Sequence, residues 1–193
     1  MAWLVAGLGN PGEAYARTRH NAGRMTLDVL AQAHRARLKK ARFLPADAAE
    51  IHIGSDPVWL VTSTRFMNES GPAYARFAAK HAIEPDHVIA VHDELEIPAG
   101  ELMLKFGGGS GGHNGLRSLT QALGTPSYLR VRIGIGRPPG RQDPADFVLQ
   151  PLGKEGALDL AVSAGRAADA VEALVSEGLE SAQQRFNRGA TSG

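Results

Sequence analysis

Cysteine is absent from this chain of 193 residues, and there is almost no excess of charge of either sign. The lack of cysteine excludes disulfides, thiolate nucleophiles and zinc sites with cysteine ligands, and it fits a reducing compartment. The formal net charge is only +1, so no global field points to a nucleic-acid partner. Any contact with RNA must therefore come from a local patch of charge.

A long apolar run is missing as well. The chain begins Met-Ala-Trp-Leu-Val-Ala-Gly, without a basic segment and with too few apolar residues for a signal peptide or a membrane span. We therefore expect a cytoplasmic protein that does not bind a membrane. The length suits a single α/β domain, which we place at residues 1–188, with a flexible C-terminal tail at residues 189–193.

Short apolar runs alternate with segments of helical spacing, which predicts a single-domain α/β fold. The predicted strands are Trp3–Gly7, Ala48–Ile53, Val58–Val61, Val88–Val91, Glu101–Lys105 and Leu129–Ile135. The predicted helices are Met25–Leu38, Ser70–His81, Leu116–Leu123, Gly153–Val175 and a last short one that reaches Asn187. The apolar stripe predicted for the long helix consists of Leu158, Val162, Gly165, Ala168, Val171 and Val175.

A glycine-rich turn, Gly7-Leu8-Gly9-Asn10-Pro11-Gly12, follows the first predicted strand. Its spacing matches the G-x-G-x-x-G pattern of dinucleotide-binding folds, but that pattern requires a helix that begins at the third glycine. Here Thr18–Gly23 is predicted to be loop, and Asp28, at the distance of the usual acidic residue, falls inside a helix. We interpret the turn as a wall of an active site, where glycines let a ligand approach the backbone closely.

The segment Gly108-Gly109-Ser110-Gly111-Gly112 matches the nucleophile elbow of serine hydrolases. That elbow needs an acid and then a histidine later in the chain, and no histidine follows His113. The order His20, Asp93, Ser110 does occur in another serine-hydrolase arrangement, so Ser110 stays open as a nucleophile.

A metal site is a third alternative, formed by His92-Asp93-Glu94 and His113. In an extended segment alternate residues face opposite ways, so Asp93 would leave the face of its two neighbours. No His-x-x-x-His spacing and no cysteine pair support such a site, and we expect none. His92 and His113 remain candidates for residues that contact the catalytic side chains and not the substrate.

Five polar residues remain, each at the end of a predicted strand or in a glycine-rich loop: Asn10, His20, Asn68, Asp93 and Asn114. Ligands collect at such strand ends in open α/β sheets. A histidine held by a carboxylate can take a proton from water, and carboxamide N–H groups can stabilise a developing oxyanion. This set suits the hydrolysis of an activated acyl bond without a covalent intermediate.

Four motifs in this order resemble bacterial-type peptidyl-tRNA hydrolase: Gly7–Asn21, Phe66-Met67-Asn68-Glu69-Ser70-Gly71, His92-Asp93-Glu94-Leu95 and Lys105–Ser118. The similarity extends from about Trp3 to Gln184. It implies cleavage of the ester between a peptide and the 3′-ribose of tRNA, which recycles peptidyl-tRNA lost from ribosomes. It also implies a twisted mixed β-sheet flanked by α-helices, acting as a monomer without a cofactor.

The resemblance implies a role for each motif residue. His20 would be the catalytic base, Asp93 would support its basic form, and Asn10 would contact the peptide beside the ester. The implied substrate-binding residues are Tyr15, Phe66, Met67, Asn68 and Asn114. The expected partner is peptidyl-tRNA, bound through its 3′ CCA end and acceptor stem, and DNA is not expected to bind.

Basic residues near these motifs offer contacts to tRNA phosphates: Lys105, Arg117, Arg130, Arg132 and Arg137. Lys105 and Arg132 are the predicted contacts, with Lys105 preferred because it adjoins the glycine-rich loop. In one place the chain departs from the family, which usually has Lys-Pro-x-Thr where Thr62-Ser63-Thr64-Arg65 stands. Losing the proline loosens the entry to the loop that carries Asn68.

Two other hypotheses compete with this esterase. One is an RNA-binding module on the same fold that has lost hydrolysis, against which the intact His20, Asp93 and Asn10 argue. The other is a serine hydrolase that uses Ser110.

Overall fold

Four parallel strands at the centre of the sheet bring their carboxyl ends to one edge. The computed structural model describes residues 1–187, and the strands in that range are β1 Trp3–Gly7, β2 Lys39–Lys40, β3 Ala46–Ile53, β4 Asp56–Ser63, β5 Val88–Glu94, β6 Leu102–Phe106 and β7 Leu129–Gly134. They form one sheet in the order β2-β3-β4-β1-β5-β7-β6. The pairs β4-β1, β1-β5 and β5-β7 are parallel, and the other pairs are antiparallel. The predicted mixed sheet is therefore confirmed, while the predicted tail at 189–193 lies outside the described residues.

Helices cover both faces of the sheet. Successive residues of each central strand point to opposite faces, and apolar side chains on both faces need to be covered. They are α1 Ala22–Ala33, α2 Gly71–Lys80, α3 Asn114–Leu123, α4 Pro144–Leu149, α5 Lys154–Glu177 and α6 Leu179–Phe186. Leu27 of α1 and Val171 of α5 pack with Val5 on one face, and Tyr74 of α2 and Leu119 of α3 pack with Leu4 on the other. Within residues 1–187 no helix is both long enough and apolar enough to cross a membrane.

The structure extends one predicted strand in a way that matters for the site. We predicted that the strand ends at Val91, whereas β5 continues to Glu94. In this register Asp93 pairs with Ile133 of β7, so the carboxylate is carried by the sheet itself and not by a loop. The strand continues beyond its pairing with β1, which ends at Val91, because β7 still pairs with residues 92–94.

The apolar stripe predicted for α5 is confirmed only in part, because Ala168, Val171 and Val175 are buried but its first two residues are not. Leu158 and Val162 are 61% and 67% exposed. The buried face consists of Leu160, Ser163, Ala164, Ala167, Ala168, Ala170, Val171, Ala173, Leu174 and Val175. Alanine carries a weak apolar signal in a sequence, but its small side chain lets α5 pack closely against α1, and close packing decides which face is buried.

Gly23, in the first turn of α1, permits a close contact with the sheet. A Cβ at this position would overlap the carbonyl oxygen of Val91 and would crowd the backbone of Leu8. A hydrogen bond from the Leu8 N–H to the Val91 carbonyl oxygen (3.1 Å) stabilises the same close contact between the turn and β5. The turn just before α1 is thereby kept close to the end of β5.

Gly23→Ala is expected to lower the free energy of unfolding by about 3 kcal/mol or more, because the added methyl group must displace backbone. Gly165→Ala is the matched control, since a Cβ on Gly165 of α5 would meet nothing within 4 Å. That change should raise stability by about 0.5–1 kcal/mol, the difference in helix propensity. Urea unfolding of both variants measures the two effects, and equal effects would contradict the close-contact explanation.

Candidate active site

His20 and Asp93 meet at the carboxyl edge of the sheet. His20 lies in a single 3-10 turn, Arg19–Asn21, which joins the glycine-rich turn to α1, and Asp93 lies near the end of β5. The Nδ1 of His20 is 3.0 Å from both carboxylate oxygens of Asp93. His20 is 9% exposed and Asp93 is 4% exposed, so the pair is shielded but can be reached from one side.

His113 is a second imidazole on the same carboxylate, with its Nε2 2.9 Å from Asp93 Oδ1. Its Nδ1 accepts hydrogen bonds from the N–H groups of Gly115 (3.1 Å) and Leu116 (3.3 Å), which makes it the N-cap of α3. Because Nδ1 accepts, the ring proton must be on Nε2, which then donates to Asp93. The sequence left the role of His113 open, and no spacing signal could have joined it to His20.

These hydrogen bonds determine the tautomer of His20. A carboxylate only accepts hydrogen bonds, so Nδ1 of His20 carries a proton and donates it to Asp93. In the neutral ring the lone pair is then on Nε2. Burial lowers the pKa of His20, but attraction to Asp93 and the hydrogen bond that His20 donates to it outweigh burial and leave that pKa above its ordinary value.

Asp93 stays ionised although it is buried. Burial alone would raise its pKa, but attraction to His20 and His113 and the hydrogen bonds from both rings lower that pKa well below its ordinary value. His92, on the same strand, is fully buried and donates from Nδ1 to the backbone carbonyl of Asp93 (2.8 Å). Burial lowers the pKa of His92 to about 3, so this ring is neutral.

The side chain of Asn21 holds the backbone of Asn10. The Asn10 N–H donates to Asn21 Oδ1 (2.8 Å), and Asn21 Nδ2 donates to the Asn10 carbonyl oxygen (2.9 Å). The Oδ1 of Asn10 accepts from the Met67 N–H (2.7 Å). The Nδ2 group of Asn10 has no hydrogen-bond partner within residues 1–187, so it can donate to a ligand.

Three of the other predicted binding residues, Phe66, Asn68 and Asn114, are exposed, while Met67 is buried. Phe66 is 54% exposed, and its ring is 6.2 Å from that of Tyr15 in an edge-to-face arrangement. Asn68 and Asn114 are exposed at the surface. Met67 is only 4% exposed, so its side chain lies below this surface, where its Sδ leaves no space for a Cβ on Gly115.

A cavity of about 440 Å³ opens beside His20 and Asp93. One wall is the glycine-rich loop at Gly111–Asn114, and another is α4, a helix that the sequence pattern did not indicate. Arg137 of this cavity is ion-paired with Glu96, so it is not a free cation. The cavity is large enough for a nucleotide-sized group.

Strand β7 carries two arginines with different roles. Arg130 is only 1% exposed and donates to the carbonyl oxygens of Gly108 and Gly109 (2.6 Å each). It therefore holds the glycine-rich loop, and its inclusion among the phosphate contacts was wrong.

Lys105 lies directly across from Arg130 on β6, and Arg132 lies 3.9 Å from Glu94. Burial, and then Arg132 and Arg130, lower the pKa of Lys105.

Ser110 is not joined to a histidine base. Its carbonyl oxygen accepts from the His113 N–H (2.9 Å), and the residue lines a separate open cavity with Arg117 and Pro126. Nδ1 of His20 and Nε2 of His113 both donate to Asp93 and not to Ser110. The hydroxyl of Ser110 has no partner within the described part of the chain, so nothing there activates it.

Three ligand atoms for a metal do lie together, on His20, Asp93 and His113, all within 4.8 Å of one another. A metal on Nε2 of His113 would move the ring proton to Nδ1, where two backbone N–H groups already point. The observed distances of 2.9–3.0 Å suit hydrogen bonds between the three groups. The cluster is therefore better explained by a shared carboxylate than by a metal.

Known proteins match this chain over nearly its whole length. Residues 4–192 match the family described as Peptidyl-tRNA hydrolase. The peptidyl-tRNA hydrolase of Kineococcus radiotolerans is 50% identical, covering 96% of this chain and 97% of its own length. That of Mycobacteroides abscessus is 49% identical, with 96% and 95% covered. The solved structure of peptidyl-tRNA hydrolase from Acinetobacter baumannii has a TM-score of 0.89 at 33% identity, covering 97% of this chain and 95% of that one.

Asp93→Asn is expected to lower the pKa of His20, because the neutral side chain removes the charge that stabilises the protonated ring. NMR titration of the His20 ring signals measures this pKa in both proteins. It should lie above the ordinary histidine value in the wild type and move to lower pH in the variant. Asp86→Asn, which alters an exposed partner of His87, should leave the His20 titration unchanged. A His20 pKa that does not move would contradict the pairing.

Proposed function

The chain belongs to the peptidyl-tRNA hydrolase family and hydrolyses peptidyl-tRNA, and we propose that it does so by a water attack that His20 promotes as general base. The observation that carries this mechanism is the hydrogen bond from His20 Nδ1 to Asp93 (3.0 Å), which leaves Nε2 as the basic atom. The proposal includes a cytoplasmic location, because peptidyl-tRNA is made there.

The first step forms the bond between water and the ester carbonyl carbon. Nε2 of His20 takes a proton from the water as the oxygen attacks, and Asp93 stabilises the imidazolium that results. The carbonyl oxygen becomes an oxyanion, which the free Nδ2 group of Asn10 and the carboxamide of Asn114 can stabilise as hydrogen-bond donors. No side chain forms a covalent bond to the peptide.

The second step breaks the bond between the carbonyl carbon and the 3′ oxygen of the ribose. The proton on Nε2 of His20 passes to this leaving oxygen, which gives tRNA with a free hydroxyl and a peptide with a carboxylic acid. The base is thereby regenerated, and neither a metal nor a cofactor enters the proposed steps. One chain contains every group named, which is why we propose a monomer as the active form.

The substrate is positioned by contacts on both sides of the ester. Asn10 binds the first peptide group, a contact that an unblocked aminoacyl-tRNA cannot make in the same way. The terminal nucleotides of the CCA end lie against the aromatic rings of Tyr15 and Phe66, since unpaired bases stack on such rings. Asn68 and Asn114 bind the 3′ end and position the water. Because the ester is on a tRNA ribose, DNA is not a substrate.

Lys105 and Arg132 are the proposed contacts to tRNA phosphates. They lie on neighbouring strands β6 and β7, on the face that also carries the buried Arg130. Among residues 1–187 Arg132 has only Glu94 as an acidic partner, at 3.9 Å, so the group retains an excess of positive charge. A small number of phosphate contacts gives moderate, salt-sensitive affinity, which suits repeated turnover.

The departure from the family pattern at Thr62-Ser63-Thr64-Arg65 is compensated by local hydrogen bonds. Ser63 Oγ accepts from the Arg65 N–H (3.0 Å), and the Ser63 N–H donates to the buried hydroxyl of Tyr74 (3.2 Å). That hydroxyl donates in turn to the carbonyl oxygen of Gly7 (3.1 Å). These bonds support the proposal that the loop presents Asn68 without the usual proline.

The mechanism is tested by hydrolysis of N-acetyl-aminoacyl-tRNA and of the unblocked aminoacyl-tRNA, in the presence of EDTA. His20→Ala should lower kcat by about 10²- to 10⁴-fold, the usual contribution of a general base, and should leave the Kd for tRNA nearly unchanged. Ser110→Ala is the matched control, and it should keep wild-type activity. The wild type should cleave the blocked substrate preferentially.

Each competing hypothesis has its own outcome in this experiment. Loss of activity in Ser110→Ala with activity retained in His20→Ala would establish the serine hydrolase. Tight binding of tRNA without hydrolysis by the wild type would indicate the RNA-binding module.

A further inference from the structure

A run of positive charge lies at the edge of the sheet farthest from Lys105. Strand β2 is the outermost strand on that side, whereas β6, which carries Lys105, is the outermost strand on the other. The residues 35–43 include five basic and no acidic side chains: Arg35, Arg37, Lys39, Lys40 and Arg42. The whole chain has a formal net charge of only +1 with these five included, so the rest of the chain is net negative. We call residues 35–43 the basic edge.

These cations are not neutralised by the protein. All five are exposed, and within residues 1–187 none of them forms an ion pair or donates a side-chain hydrogen bond. Asp47 lies directly across from Lys40 in the sheet, but its carboxylate is turned to Arg24 at 3.9 Å. The basic edge therefore presents its charge to solvent, where it can bind a polyanion.

Phe43, at the end of the basic edge, is 81% exposed and has a φ of +64°. A bulky side chain is strained in this region of φ, and an exposed ring gains little from burial, so folding does not explain this residue. The Arg42 guanidinium lies over the ring, 4.8 Å from its centre, and Arg76 donates to the Phe43 carbonyl oxygen (3.4 Å). A flat exposed ring beside a guanidinium is a surface on which an unpaired base stacks.

Lysines on an edge strand also prevent edge-to-edge aggregation, which accounts for Lys39 and Lys40. Protection against aggregation does not account for Phe43, which is strained, exposed and in contact with the Arg42 guanidinium. We propose that the basic edge is a second RNA-binding surface, which binds the sugar-phosphate backbone through its cations and one unpaired base through Phe43. This goes beyond the proposed function, and only the choice of the RNA segment bound rests on the phosphate contacts proposed there.

The position of the basic edge separates it from the acceptor end of the substrate. In the sheet, β2 is three strands from β1, about 14 Å at the usual spacing of about 4.8 Å, on the side away from β6 and β7. An acceptor stem held by Lys105 and Arg132 leaves the site in the opposite direction. The RNA bound here is therefore a different segment, which has unpaired bases and needs no 3′ end in the active site.

The probe for this surface is a labelled RNA hairpin with an unpaired loop and a blunt end, so that it has no CCA end to enter the site. Fluorescence anisotropy from 25 to 200 mM KCl, on the order of physiological salt, gives its affinity and salt dependence. The triple variant Lys39→Gln, Lys40→Gln, Arg42→Gln should bind at least about tenfold more weakly at low salt, with a slope of log K against log salt reduced by about 2–3.

The control with the same change in charge is Lys80→Gln, Lys154→Gln, Arg185→Gln, at exposed positions outside the basic edge. It should bind the hairpin like the wild type, and both triple variants should hydrolyse N-acetyl-aminoacyl-tRNA with wild-type kcat. Equal weakening in the two triple variants would overturn the proposal, since only net charge would then matter. Absence of hairpin binding by the wild type would overturn it as well.

Phe43→Gly separates recognition from folding. Glycine relieves the left-handed backbone, so Tm should stay the same or rise, whereas affinity for the hairpin should fall about fivefold or more through lost stacking. A blunt duplex without a loop should bind this variant and the wild type equally. An unchanged affinity for the hairpin would exclude base stacking on Phe43. Binding of a polyglutamate peptide as tight as that of the hairpin would assign the surface to acidic proteins instead.

Discussion

The carboxylate of Asp93 is the group on which the geometry of the site depends. It accepts hydrogen bonds from Nδ1 of His20 and from Nε2 of His113, and both rings come from different parts of the chain. Because β5 carries Asp93 inside the sheet, the two loops that bear the histidines are aligned by a rigid element. An ionised carboxylate in this buried place is stable only because both rings donate to it.

Two buried side chains that bond to backbone groups hold the remaining walls of the site. The Tyr74 hydroxyl joins the ends of β1 and β4, while the Arg130 guanidinium holds the glycine-rich loop at Gly108 and Gly109. Burial raises the pKa of Tyr74 to about 12, so its hydroxyl stays protonated and donates to Gly7. The groups that bind substrate can then remain exposed, since other side chains carry the structural hydrogen bonds.

Much of the site was predictable because its residues lie in local motifs. Strand β1 was predicted from a continuous apolar run and strand β7 from alternating apolar residues. The position of polar residues beside strand ends and glycines indicated His20 and Asp93. The roles of His113 and Asn21 were not predictable, since they rest on hydrogen bonds between segments far apart in the chain. The buried face of α5 was predicted only in part, because most of its residues are alanines and these carry a weak apolar signal. The burial of Arg130 was missed because the burial of a charge cannot be inferred from a strand pattern.

The central claim is that neutral His20 carries its proton on Nδ1 and is basic at Nε2. The most direct measurement is the ¹⁵N NMR spectrum of the histidine rings at a pH above the His20 titration, with His20→Ala used to assign the signals. A protonated Nδ1 and an unprotonated Nε2 are predicted. A His20 ring protonated at Nε2 would contradict the mechanism, because the nitrogen that faces the substrate could not then accept a proton from water.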